Sequence, residues 1–246
     1  AEVGPVAVFA EVGLRPILQQ VVPASTQVYL MGSSKWANVI AEGRKTSAPE
    51  HEVGPEDVAV LLFTAGSTGR PKAAMLTHRA LIDNVQELLE LDDPPAATAD
   101  DVVLGVLPLF HVYSLNSVLG MTMAAGATLV LEPRFVPRQT LELVKSAGIT
   151  VIGGAPPMYI AWSGEPDLRE MLSGVRLMSS GSSPLPPAVF EQFVTTTGKS
   201  IWEGYGLTEC SPVVSTTLVS GRPKAGSVGR PLPGMEVMLV DQGGDP

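Results

Sequence analysis

Short apolar runs alternate with helical periodicity along almost the whole chain, and this alternation limits what the chain can fold into. Residues 6–9 read as a strand, 14–22 as a helix and 27–31 as a strand, with a short helix at 35–42. Residues 43–57 carry Pro49, Gly54 and Pro55 among mixed charges and read as a linker. Residues 58–63 form a continuous apolar run, suited to a strand covered on both faces. Thr77 is placed to N-cap a helix that carries Leu81, Ile82, Val85, Leu88 and Leu89 on one face. Further strands are expected at 102–106, 127–131, 149–153, 175–179, 201–203 and 236–240. Helices are expected at 112–125, at 137–147 with Pro137 in the first turn and Gly148 as the stop, and at 186–197. The pattern predicts an α/β fold of mostly parallel sheets flanked by helices. Its ligands would bind at the carboxyl ends of the strands. Residues 1–57 are expected to form a partial α/β subdomain and linker, and residues 58–246 a binding core.

Composition narrows the function. With 246 residues, 45% hydrophobic and 17% charged, the chain suits a globular protein rather than a disordered one. A net charge of −9 argues against a nucleic-acid partner, which calls for a basic face. A single cysteine, Cys210, excludes a disulfide framework and fits a reducing, cytoplasmic compartment. No basic segment precedes an apolar run at the start, so no secretory leader is expected. The longest apolar stretch, 117–131, is too short to span a membrane and is interrupted by Gly120 and Gly126.

The densest chemistry lies in Thr64-Ala65-Gly66-Ser67-Thr68-Gly69-Arg70-Pro71-Lys72, directly after the 58–63 run. Glycines permit close backbone approach, successive N–H groups can form an anion nest, the hydroxyls donate, and Lys72 supplies a mobile charge. This is not a Walker-type loop, because Pro71 stands where the last glycine belongs and Ala73 follows the lysine. Gly204-Tyr205-Gly206-Leu207-Thr208-Glu209 follows another strand. There Tyr205 offers a face for a purine, Thr208 a hydroxyl for phosphate, and Glu209 a carboxylate for Mg²⁺. Ser179-Ser180-Gly181-Ser182-Ser183-Pro184-Leu185, Pro108-Leu109-Phe110-His111 and Gly226-Ser227-Val228-Gly229 close further strands. Judged alone, the Ser179 segment reads equally well as a plain loop and His111 as a satisfied core histidine, the Gly226 segment reads first as a turn or bulge, and Tyr205 with Glu209 reads first as a turn beside a solvated carboxylate. A hydrolase triad has no support, since no Gly-x-Ser-x-Gly elbow occurs.

Taken in order, these segments resemble the adenylate-forming, AMP-binding superfamily, and most closely a bacterial fatty-acid–CoA ligase. The segment 108–120 is also similar to aryl-CoA ligases of the 4-coumarate type. Ala65 and Ala73 depart from the usual Ser and Gly of the phosphate loop. The resemblance implies part of the large domain of an acyl-CoA synthetase-like fold. It also implies a two-step reaction with ATP, Mg²⁺, a carboxylic acid and coenzyme A. Carried over, Thr64, Ser67, Thr68, Gly69 and Lys72 would hold the β- and γ-phosphates. Tyr205 would stack on adenine opposite Gly181 and Ser182. Thr208 would meet the α-phosphate, Glu209 would bind Mg²⁺, and His111 would face the acyl carboxylate. Gly153, Gly154 and Ala155 would leave room for an acyl chain. The resemblance further implies that a ribose-binding segment and a small lid domain lie beyond residue 246, so that this stretch by itself would turn over poorly. An aryl-acid ligase, an acyl-AMP ligase serving a carrier protein, a non-catalytic nucleotide-binding module and a plain scaffold remain the alternatives.

Overall fold

The computed structural model describes residues 3–48, 50–64, 71–241 and 243. It divides into two compact units, residues 1–53 and 54–246. In the first, the parallel strands β1 (Ala7–Glu11) and β2 (Gln27–Met31) pair in register, and the helices α1 (Arg15–Val21) and α2 (Ser34–Gly43) follow them in turn. Ser33 caps α2 by accepting from the Trp36 N–H at 3.2 Å. Phe9 stacks on Tyr29 with ring centroids 5.3 Å apart.

The second unit opens with a departure from expectation. Strand β3 (Val58–Thr64) is not a doubly covered central strand. It pairs antiparallel with β4 (Lys72–Thr77) in a two-stranded sheet. Val58, Leu61 and Phe63 are 48%, 42% and 54% exposed. An apolar run alone does not distinguish a central parallel strand from one arm of a hairpin. The glycine-rich loop therefore joins two strands, rather than a strand to a helix. Thr77 does cap the following helix, α3 (His78–Leu89), accepting from the Ala80 N–H at 3.1 Å. Val85 and Leu88 face the core as expected, but Ile82 is 53% exposed and Asn84 is buried in its place.

The main sheet has seven strands in the order β11-β10-β9-β8-β7-β5-β6. Strands β5 (Val102–Gly105), β6 (Thr128–Leu131), β7 (Val151–Gly154), β8 (Leu177–Ser180) and β9 (Trp202–Gly206) run parallel. Strands β10 (Val213–Thr216) and β11 (Arg230–Pro231) add an antiparallel edge. Between β5 and β6 lies a π-helical segment, Tyr113–Gly120, continued by α4 (Met121–Ala125). Helices α5 (Pro137–Ser146), α6 (Pro156–Trp162), α7 (Leu168–Met171) and α8 (Pro187–Thr197) complete the layers. The sequence pattern had not separated α6, α7, β10 or β11. Residues 236–240, expected as a strand, pair with no described neighbour, and Val237 to Val240 are exposed.

Period-two alternation along the strands builds two cores at once. Leu104, Ile152 and Met178 face α5–α8, where Leu141, Tyr159, Trp162 and Phe193 are fully buried. Their neighbours Val103, Val151 and Leu177 face the opposite layer, with Val85, Leu88, Val118 and Met121. Both faces are covered, so the strands read as continuous apolar runs.

At the amino ends of these strands one buried carboxylate fixes the register. Asp101 accepts from Thr150 Oγ1 at 2.7 Å, from Arg176 Nε at 2.8 Å, and from the Thr98 backbone N–H at 2.7 Å. Thr150 and Arg176 directly precede β7 and β8, and Asp101 directly precedes β5. Burial alone would raise the Asp101 carboxyl, but the hydrogen bonds from Arg176, Thr150 and Thr98 outweigh it and hold it below the usual carboxylate range. Removing this partner from Arg176 should lower stability by about 3–5 kcal/mol for Asp101→Ala, read from denaturant melts at neutral pH. The folded-state value is depressed. The contribution should therefore be complete above the unfolded value of about 3.9 and fade as pH falls below it, so that wild type and variant converge in acid.

Candidate functional site

The chain order steps outward from β5 to β6, then returns to β7 and proceeds to β8 and β9 on the other side. This reversal creates a topological switch point between β5 and β7, where a crevice opens at the carboxyl ends of the strands. A cavity of about 380 Å³ lies against this crevice. His111, Gly181, Ser182, Tyr205 and Thr208 all line it, alongside Gly153 and Tyr113. Its inner wall is apolar, built from Leu88, Val103, Val118, Met121, Val151 and Leu177.

Local structure explains how each group arrives. The loop after β5 is tied back when the Ser114 hydroxyl donates to the Leu107 carbonyl at 2.7 Å. His111 ends that loop, its ring 4.7 Å from that of Phe110, and its carbonyl accepts from the Leu115 N–H at 2.9 Å. Gly181 follows β8 with the Tyr113 ring against it: a Cβ there would meet that ring at 3.4 Å. Tyr113 in turn shares a 3.0 Å hydrogen bond with Ser179 Oγ, and burial of its hydroxyl raises its pKa. Ser182 adopts a left-handed conformation with φ of 71°.

Tyr205 belongs to β9 itself, rather than to a turn beyond it, and is 48% exposed at the cavity. Gly206 is required by the residue that leads into β10, not by a bend. A Cβ there would lie 2.2 Å from the Pro212 carbonyl oxygen. Thr208 and Glu209 sit on a single 3₁₀ turn, Thr208–Cys210, with Glu209 exposed next to the cavity-lining Thr208. Strand β4 packs against this turn. Thr64 and Lys72 face each other at the loop end of the β3–β4 hairpin, and Thr64 Oγ1 donates to the Lys72 carbonyl at 3.4 Å. Ser67, Thr68 and Gly69 lie outside the described residues. Neither Thr64, Lys72 nor Glu209 lines the cavity directly. Among the described residues no cluster of three or more His, Cys, Asp or Glu could hold a metal ion. A magnesium ion shared with phosphates needs only one or two carboxylates, a requirement Glu209 meets.

Three buried groups escaped the sequence reading. Glu203 is 5% exposed and accepts from the Leu185 N–H at 3.3 Å and the Gly226 N–H at 3.1 Å. It thereby joins the loop after β8 to the Gly226–Gly229 turn, and burial raises its carboxyl above the usual range. Asn84 and Asn116 bond to backbone beyond the Thr208–Cys210 turn. A carboxylate or amide at a core position was the available signal, but its partners were not.

An open, mostly parallel α/β sheet with a small-molecule cavity at its switch point defines the class. The chain belongs to the AMP-binding enzyme family, whose model matches residues 1–246. It is 36% identical over 195 residues to a long-chain-fatty-acid–CoA ligase of Bacillus subtilis, covering 79% of this chain and 34% of that protein. It is 34% identical over 211 residues to a 4-coumarate–CoA ligase of Pinus taeda, covering 83% of this chain and 39% of that one. The solved structure of ATP-bound MatB from Rhodopseudomonas palustris superposes with a TM-score of 0.88 at 29% identity, over 98% of this chain and 48% of that one. The chain thus spans between a third and two fifths of these two curated relatives.

Replacing Glu203 with Gln keeps its shape but turns an amide NH₂ toward one of the two backbone N–H groups. One buried donor is then unpaired, and the melting transition should report a loss of about 1–3 kcal/mol.

Proposed function

We propose that this chain is the nucleotide- and acyl-binding core of an ATP-dependent acid–CoA ligase, with a fatty acid as the carboxylic acid. The observation that carries this reading is the convergence of His111, Gly181, Ser182, Tyr205 and Thr208, from loops and strands far apart in sequence, on one cavity with an apolar inner wall. In the proposed reaction a carboxylate oxygen of the acid attacks the α-phosphorus of ATP, and pyrophosphate leaves with the electron pair of the broken P–O bond. The thiolate of coenzyme A then attacks the acyl carbon of the adenylate, and AMP leaves. The substrate supplies its own nucleophile, so the reaction requires no catalytic triad. The protein's task is alignment and charge neutralisation.

In this reading Tyr205 stacks on adenine, with Gly181 and Ser182 on its other side. Thr208 donates to the α-phosphate, and His111 orients the acyl carboxylate. Thr64 and Lys72, with Ser67, Thr68 and Gly69 of the intervening loop, hold the β- and γ-phosphates. Glu209 would hold a magnesium ion, which supplies neutralisation of phosphate charge when bound. The apolar wall from Leu88 to Leu177 receives the acyl chain. An aryl acid is the second reading, favoured by the 34% identity to a 4-coumarate–CoA ligase.

Pyrophosphate exchange by the full gene-encoded protein, over a panel of fatty and cinnamate-like acids, tests the proposal. Exchange should be strongest with fatty acids. Lys72→Ala and Glu209→Ala should each reduce it by about 100-fold, the scale of losing one charge-stabilising group. A stronger response to cinnamate-like acids would select the second reading, and no exchange with any carboxylate would remove both.

A further inference from the structure

The Thr208–Cys210 turn carries the proposed α-phosphate and magnesium contacts, yet few of its own bonds hold it. Cys210 N–H donates to the Leu207 carbonyl at 3.0 Å and Leu207 N–H to the Pro212 carbonyl at 3.0 Å, which closes the segment into a small loop. Ser211, directly after the turn, has a left-handed φ of 67°. What fixes this loop to the body of the protein comes from outside it.

Asn116, 6% exposed, reaches it from the π-helical segment. Its Nδ2 donates to the Ser211 carbonyl at 2.7 Å and to the Leu81 carbonyl of α3 at 2.9 Å. One amide nitrogen thus spends both of its hydrogens on joining α3 to the far side of the turn. The fit is tight on the other side as well, since a Cβ on Gly120 would stand 2.6 Å from Asn116 Oδ1. Asn84 extends the clamp from α3. Its Nδ2 donates to the Val213 carbonyl at 2.8 Å, and its Oδ1 accepts from the Val213 N–H at 3.1 Å. The same π-helical segment places Tyr113 and Ser117 at the cavity. Asn116 therefore connects the wall of the proposed acyl compartment directly to the segment that follows Thr208 and Glu209, with Asn84 as a second fastening from α3.

We propose that Asn116 is a positioning residue for adenylation: it sets where Thr208 and Glu209 stand relative to the cavity. This rests on the function proposed above. A buried amide with two donors is the group that two converging carbonyl oxygens require. Asp at the same position would bring a carboxylate against them. Displacing a turn by about 1 Å is enough to cost on the order of 100-fold in rate, even when no contact with substrate is lost.

The test uses the full gene-encoded protein, with Asn116→Ala, the near-isosteric Asn116→Asp and, as a control, Arg176→Met at the opposite end of the sheet. Pyrophosphate exchange is measured together with thermal melts, and kcat and KM for the acid are separated. Both Asn116 variants should lower kcat by about 10- to 100-fold with the KM for the acid within about threefold of wild type. Arg176→Met should melt earlier but keep its kcat per folded molecule. If Asn116→Ala fails to fold, Asn116→Asp assayed per folded molecule gives the same reading. The proposal falls if the Asn116 variants lose activity only in proportion to their folded fraction, as the control does, or if KM alone changes. An inactive parent protein would remove the ligase reading as well, whereas an active parent with active Asn116 variants would remove this inference alone.

Discussion

Burial of the parallel sheet on both faces is the constraint from which the remaining structure follows. Strands β5, β7 and β8 place adjacent residues such as Val103 and Leu104, or Val151 and Ile152, into separate apolar layers, each residue no more than 1% exposed. With both faces closed and neighbours on either side, these strands leave polar chemistry only at their ends. The amino ends are locked by Asp101 with Arg176, Thr150 and Thr98. The carboxyl ends open into loops, and the reversal between β5 and β7 leaves space among them.

Rigidity and chemistry are accordingly separated across about the length of a strand. At the carboxyl side the fastenings are individual polar side chains, each holding backbone of a different segment. Glu203 holds the Leu185 and Gly226 amides, and Asn84 holds both backbone groups of Val213. Such groups are costly to bury unpaired, and their partners are supplied by loops and by the start of the edge strand β10. Loop position is thus set by the sheet and helices beneath, which is what a binding site on a rigid scaffold requires.

The sequence disclosed the local features well. Thr77 before an amphipathic helix, Pro137 at a first turn, Gly148 after a last one and the short apolar strands of the sheet are each specified within a few residues. It disclosed pairing poorly. The segment Lys-Ala-Ala-Met-Leu-Thr at β4 has little β-branched character, and only its partner across the loop makes it a strand. Tyr205 between two glycines looked like a turn because the close approach of the segment entering β10, which leaves no room for a Cβ at Gly206, lies several residues further on. The two asparagines were invisible for the same reason: Asn84 finds its partner 129 positions away and Asn116 finds Ser211 95 positions away. The candidate residues His111, Gly181, Ser182, Tyr205 and Thr208 were legible as a set because each terminates or follows a strand, and strands in such a fold end on the same side.

The π-helical winding of Tyr113–Gly120 has a consequence for how this region tolerates change in length. A wider turn accommodates more residues per revolution than an α-helix, and deleting one residue would let the segment rewind to the commoner form. Each residue of an α-helix advances the side chains by about 100°. A deletion between Tyr113, which bonds Ser179, and Asn116, which bonds Ser211, would therefore change the rotation of one relative to the other. At this position the number of residues is thus as strict a requirement as their identity.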